Sequence, residues 1–238
     1  MVSEPSDAAF PRLPSLVLFD IAGTTVEDDG FVLRAFLEAA ASESIDADRE
    51  WIRARMGLDK REVFRDLLAL RGLPADESRV ASLLGRFEAS IDASCACARP
   101  REGALALVTV LVSAGVRVGF TTGFPRRTAK VVLAATALDR AAELGAAMEL
   151  LVASDEVAQG RPAPDMILEA MRRAGVTDAA RVAVAGDTPS DIAAGLSADA
   201  ALVAAFAGGS HTRAELEGLG AHLVVDGPLG LASHWGLA

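Results

Sequence analysis

The chain has 238 residues, of which 51% are hydrophobic and 24% charged, and its formal net charge is −10. This length accommodates one α/β core with a modest insertion. The acidic balance excludes the basic footprint that nucleic acid or an anionic membrane surface requires, so neither is an expected partner.

A small anionic substrate stays open, because a metal and two cations can build a local positive site. Residues 1–15, MVSEPSDAAFPRLPS, have neither the basic nor the apolar region of a signal peptide. The apolar stretch from Ile192 to Ala207 is broken by Asp199 and is too short to span a bilayer. A soluble, cytoplasmic protein is expected.

The first strand signal is SLVLFD at 15–20, a short apolar run that ends in an acid. From Phe31 to Pro100 strand signals vanish and helical periodicity takes over: Val32, Leu33, Phe36, Leu37; Val63, Phe64, Leu67, Leu68; Val80, Leu83, Leu84, Phe87. Seventy helical residues exceed an ordinary crossover, so they read as an inserted cap. Cys95 and Cys97 fall near the end of this block with no histidine nearby, and read as inert thiols in a reducing compartment. Apolar runs then resume at 116–123, 148–154, 181–187, 201–206 and 221–227, with room for helices between the later ones. Short buried strands alternating with helices predict a doubly wound, Rossmann-like α/β parallel sheet. The expected division is a core of 1–30 and 101–238 around an all-helical cap of 31–100.

Function in such a fold gathers at the carboxyl ends of the strands. Asp20, Thr121–Thr122, Ser154–Asp155 and Gly186–Asp187 stand there. Asp20 opens D-I-A-G-T-T-V; T-T-G follows at 121–123, G-R-P-A-P at 160–164 and G-D-T-P-S-D at 186–191. Singly, each could be a strand-end cap, a turn or a surface charge.

In this order the four motifs resemble those of the haloacid dehalogenase superfamily. The resemblance implies that Asp20 is a nucleophile that becomes phosphorylated, splitting one hard displacement into two. It implies a Mg²⁺ site made by Asp20, the Ala22 carbonyl, Asp187 and Asp191, since Mg²⁺ prefers oxygen ligands. Thr122, the Gly123 N–H and Arg161 would bind the phosphoryl group.

Most phosphatases of the superfamily carry a second aspartate two residues after the nucleophile; here that residue is Ala22. D-x-A-G-T-T-V is instead similar to the motif of the phosphonatase-like members, which break a carbon–phosphorus bond. M-G-L-D-K at 56–60 resembles the phosphonatase segment that carries an imine-forming lysine. The resemblance implies that Lys60 forms a Schiff base with an aldehyde such as phosphonoacetaldehyde, with Met56 and Gly57 shaping its loop. Val63 and Phe124 stand where phosphonatase has histidine and tyrosine, and all three histidines of this chain lie beyond residue 210. An Asp59–Glu62 capping box would put Lys60 in the first turn of a helix, where the macrodipole disfavours a cation.

Two other readings of Lys60 stay open: a cation that grips phosphate in a phosphomonoesterase of small metabolites, or a solvated helix charge. A non-enzymatic binding module is a third class of function. The resemblance leaves a homodimer open.

Overall fold

The computed structural model describes residues 12–143 and 149–237. The N-terminal reading through residue 11, and Met148 at the head of the third apolar run, lie outside the described residues.

Six strands form one sheet: β1 (Leu16–Phe19), β2 (Arg117–Thr122), β3 (Leu151–Ala153), β4 (Val182–Gly186), β5 (Leu202–Phe206) and β6 (Leu223–Val225). Their order is β3-β2-β1-β4-β5-β6, and every pairing is parallel. Each falls on an apolar run of the sequence. All four residues of β1 are buried because both faces of the sheet are covered. Successive side chains alternate between those faces: Val17 and Phe19 join one core, while Leu16 and Leu18 join the other.

Eleven α-helices accompany the strands among the described residues. They are α1 (Phe31–Ser42), α2 (Arg49–Arg53), α3 (Lys60–Leu70), α4 (Glu77–Ser94), α5 (Ala104–Ser113), α6 (Arg126–Ala135), α7 (Leu138–Glu143), α8 (Asp165–Ala174), α9 (Pro189–Ser197), α10 (Arg213–Leu216) and α11 (Pro228–His234). Buried residues of α8 and α9 pack on the Leu16/Leu18 face, and those of α5, α6 and α11 on the other.

The first four helices lie between β1 and the linker to α5, and no strand interrupts them. Phe36 of α1 packs against Phe64 of α3 and Phe87 of α4, with ring centroids 5.1 and 4.7 Å apart. Phe87 also meets Phe124, just beyond β2, at 6.2 Å. One aromatic cluster therefore joins the helical segment to the sheet, and burial of such rings dominates the energetics of a contact. The chain enters and leaves this segment side by side: Val26 bridges Pro100, the Glu27 N–H donates to the Arg99 carbonyl (3.0 Å), and the Arg101 N–H donates to the Thr25 carbonyl (2.8 Å).

The expected start of α3 is half realised. The Asp59 side chain accepts the Glu62 N–H at 3.0 Å, capping the helix and fixing Lys60 as its first residue. The Glu62 carboxylate pairs with Arg65 rather than turning back to Asp59. Cys95 is buried and Cys97 exposed, both in a 3-10 turn after α4.

Candidate active site at the carboxyl edge of the sheet

β1 lies between β2 and β4 with Phe19 level with Phe120 and Ala185. The residues that follow, Asp20, Thr121–Thr122 and Gly186–Asp187, therefore reach the same edge. This is also where the strand order reverses, the usual address of a ligand crevice in open α/β sheets.

Asp20, Asp187 and Asp191 come together there, all buried, with one carboxylate oxygen of each within 4.8 Å of the others. Arg161, reaching in from the loop before α8, sits among them. Its Nη1 lies 2.6 Å from Asp20 Oδ1 and 2.7 Å from Asp191 Oδ1, and its Nη2 donates to the Thr121 carbonyl and hydroxyl at 2.7 and 2.8 Å. The planar guanidinium spans both carboxylates with Nη1 while Nη2 is anchored on β2. Asp191 accepts from the Thr188 N–H and hydroxyl through its other oxygen (3.1 and 2.6 Å), in the capping box that starts α9.

Burial, above all, raises the Asp20 carboxyl above the ordinary carboxylate range, against the pull of Arg161. Asp187 is raised too, by burial and then by the negative charges of Asp20 and Asp191. Carboxylates crowded without enough counter-charge take up protons or bind a cation.

The helical segment closes over this edge. Gly57 has φ +84°, and a Cβ there would lie 2.4 Å from both the Ser190 and Thr188 hydroxyl oxygens. A Cβ on Gly123 would stand 2.3 Å from the Leu58 carbonyl. Gly57 thus lies against the hydroxyls that open α9 and Gly123 against the backbone of residues 57–58, and a side chain at either would prise the contact apart.

Lys60 points into the closed space and is only 4% exposed. Its Nζ donates to the Leu58 carbonyl at 2.9 Å and lies 5.8 and 5.3 Å from the ring centroids of Phe36 and Phe124. Among the described residues no carboxylate comes within ion-pair reach of it. Burial lowers the ammonium to about 8, although Asp20 and Asp59 pull the other way. An amine so held is a far better nucleophile near neutral pH than an exposed lysine.

Asp20, Ala22, Met56, Gly57, Lys60, Thr122 and Gly123 line one cavity. Its volume is about 20 Å³, room for one water. A larger cavity of about 680 Å³ opens at the other end of the sheet, against Arg12, Arg181 and Trp235, away from the carboxylates. We place the chemistry at the smaller one because the reactive groups converge there.

Every predicted site residue reaches this edge; Asp187, Asp191 and Arg161 stand beside the cavity rather than lining it. The Thr122 hydroxyl accepts the Phe124 N–H at 3.1 Å, which orients its loop. Of the partners that hold these groups, Thr24 and Thr121 belong to the quoted motifs, whereas Ser210 and Asp28 have no sequence signal of their own. Thr24 donates to Asp187 Oδ1 at 2.9 Å and the Ser210 N–H to Oδ2 at 2.5 Å; Thr121 anchors Arg161; Asp28 lines the cavity. Ser210 lies after β5, and only the folded chain brings it to Asp187.

The donor set suits a hard cation. It is all oxygen, buried, and richer in negative charge than Arg161 alone can balance, which fits Mg²⁺ better than a softer metal.

Residues 14–199 match the sequence profile of the haloacid dehalogenase-like hydrolases. A protein of Dickeya dadantii (strain 3937) named "Probable phosphatase IndB" is 33% identical over 218 residues, covering 89% of each chain. Phosphonoacetaldehyde hydrolase of Bordetella pertussis is 32% identical over 190 residues, covering 74% of this chain and 66% of that enzyme. Among solved structures, a hydrolase from Pseudomonas syringae superposes with a TM-score of 0.82 at 24% identity, covering 92% of this chain and 97% of that one. A phosphonoacetaldehyde hydrolase-like protein from Oleispira antarctica gives 0.77 at 20% identity, covering 98% and 95%.

Proposed function

Because the chain belongs to the haloacid dehalogenase-like hydrolase family, we propose that it cleaves the carbon–phosphorus bond of phosphonoacetaldehyde or a related small phosphonate. Asp20 is the nucleophile and Lys60 the imine-forming residue. The observation that carries this reading is the Lys60 amine itself: buried between Phe36 and Phe124, lowered to about 8, and sharing a closed cavity with Asp20. The likeness to the Bordetella enzyme supports it.

The chemistry follows from these groups. A carbanion is a very poor leaving group, so the bonding pair needs somewhere to go. The free amine of Lys60 adds to the aldehyde carbon, and loss of water leaves an iminium next to the C–P bond. The Asp20 carboxylate then attacks phosphorus, the C–P pair flows into the iminium, and an enamine departs; water then hydrolyses the aspartyl phosphate, releasing phosphate and the free Asp20 carboxylate. Arg161 balances charge beside Asp20, while Thr122 and the Gly123 N–H bind phosphoryl oxygens. Asp20, the Ala22 carbonyl, Asp187 and Asp191 would hold Mg²⁺. When bound, that ion offsets repulsion between the attacking carboxylate and the phosphoryl oxygens. No alkoxide leaves, so Ala22 in place of an acid costs this reaction little. Residues 31–100 act as a cap over a core of 1–30 and 101–238, and its closure keeps water from the iminium.

Phosphate release from phosphonoacetaldehyde with Mg²⁺ tests the reading. Wild type should release phosphate, Lys60→Arg should not, and borohydride should label Lys60 only in the presence of the aldehyde. No release from wild type overturns it.

The likeness to the Dickeya protein, over a larger share of both chains, favours a second reading: a phosphomonoesterase in which Lys60 grips the substrate. Ala22→Asp should then raise ester hydrolysis by about 10²-fold or more, the worth of a positioned acid–base group. Under the phosphonatase reading the same change leaves C–P cleavage no faster.

A further inference from the structure

Imine formation needs proton transfers that neither Lys60 nor Asp20 can supply. The carbinolamine hydroxyl must leave as water, and the later hydrolysis of the iminium needs a base to take a proton from the attacking water. Ala22 offers neither. The charged groups that line the cavity are Asp20, Asp28 and Lys60. Asp20 is committed to phosphorus.

Building on the phosphonatase reading above, we propose that Asp28 is the general acid–base of the imine steps, supplied from the root of α1 in place of the acid missing at Ala22. The fold puts it there. The Val26–Pro100 bridge pins the chain as it leaves the sheet, and Asp28 is the second residue beyond, just before α1. One of its oxygens, Oδ1, faces the first turn of that helix, with the Val32 N–H at 3.4 Å, which fixes the carboxyl while it faces the cavity. Burial raises this carboxyl above its ordinary range, opposed by the backbone N–H groups of Val32, Gly30 and Phe31 and by Lys60. Such a group gives up and regains a proton more readily near neutral pH than an exposed aspartate does.

The steps balance. Lys60 nitrogen adds to the carbonyl carbon, and a proton passes from nitrogen to oxygen to give a neutral carbinolamine. The Asp28 carboxylic acid protonates the hydroxyl, the C–O bond breaks, water leaves, and the nitrogen lone pair forms the C=N bond of the iminium. Asp28 is left as carboxylate. After C–P cleavage and protonation of the enamine carbon by solvent, the Asp28 carboxylate takes a proton from the water that adds to the iminium. The carbinolamine forms again and the acid is restored; a proton then passes from its oxygen to its nitrogen, the C–N bond breaks, and the aldehyde leaves with the Lys60 amine regenerated.

The rival role is a helix cap. Asp28→Asn keeps an oxygen for the N–H groups of α1 but cannot carry a proton. The test is the rate of borohydride labelling of Lys60 in the Mg²⁺-loaded protein mixed with phosphonoacetaldehyde. Asp28→Asn should label about 10²-fold more slowly than wild type, melt at the wild-type temperature, and recover labelling when formate is added. Should Asn disturb α1, Asp28→Ser, which also leaves an oxygen for the cap, repeats the comparison. Labelling of either folded variant at the wild-type rate overturns the role of Asp28 and leaves the imine reading standing. A wild type in which Lys60 is never labelled overturns both.

Discussion

The Arg53 guanidinium on α2 places one nitrogen 2.9 Å from each carboxylate oxygen of Glu215 on α10. Its Nε also donates to the Ser210 carbonyl at 3.2 Å, and the N–H of that same Ser210 holds Asp187. The helical segment is thereby tied, through one residue, to the loop that positions a carboxylate of the active site. Exposed ion pairs contribute little to stability, so the effect belongs to closure. Arg53→Ala is expected to lower kcat/KM a few-fold with little change in Tm, and to flatten the dependence on ionic strength. Kinetics across a salt series check this; unchanged kcat/KM counts against the latch.

Gly57→Ala tests the closed contact directly. The new methyl meets the Thr188 and Ser190 hydroxyls, and φ +84° strains any L residue. Activity should drop by at least about tenfold, the effect of roughly 1.4 kcal/mol on the closed state. Hydrogen exchange in the 56–60 loop should quicken while the sheet stays protected. Normal turnover would mean that the loop need not touch the start of α9 during catalysis.

Lys60 sets an alkaline limb. Its ammonium is lowered to about 8, so the reactive free amine grows as pH rises and is mostly formed above that value. Borohydride labelling should climb through a midpoint near 8 and level off by about pH 9, at least one unit below the titration of an ordinary lysine near 10.4. A rate still climbing steeply above pH 9.5 would remove burial as the source of its reactivity.

The carboxylates set the response to metal. Burial raises Asp20 and Asp187, so in the metal-free protein these groups add stability at low pH, where they are protonated, and lose it as pH rises through their folded values. A cation relieves that loss. The rise in Tm on adding Mg²⁺ over EDTA should therefore be largest near pH 8 and shrink well above 3.9, the titration of an ordinary aspartate. A metal increment undiminished at pH 5 would contradict the raised carboxyls.

The six strands were legible because each is a short apolar run, four of them ending in the polar residues of the site, and buried parallel strands leave that mark. The reacting groups were legible because Asp20 and Asp187 lie in compact motifs at strand ends and Arg161 in one just before a helix. What stayed hidden depends on the third dimension. α2 is five residues long, too short for a period to show. Ser210 and Arg53 carry no motif, and matter because a loop after β5 and a helix before α3 meet over Asp187. Asp28 stands between Glu27 and Asp29 with no motif to set it apart, and the paired linkers place it on Lys60's cavity. Glu62 shows the limit of local rules: the capping motif was present, but an arginine one turn later claimed the carboxylate.

The paired crossings at Val26 and Pro100 have an evolutionary consequence. Both ends of the helical segment leave the sheet at one stitched point, so its length and shape can drift without shifting the register of β1 against β2. On the function proposed above, substrate choice could then be rewritten in one stretch of the gene while the residues at the sheet edge are inherited intact. A graft of a relative's helical segment between residues 27 and 99 would carry its own preference for substrate with it.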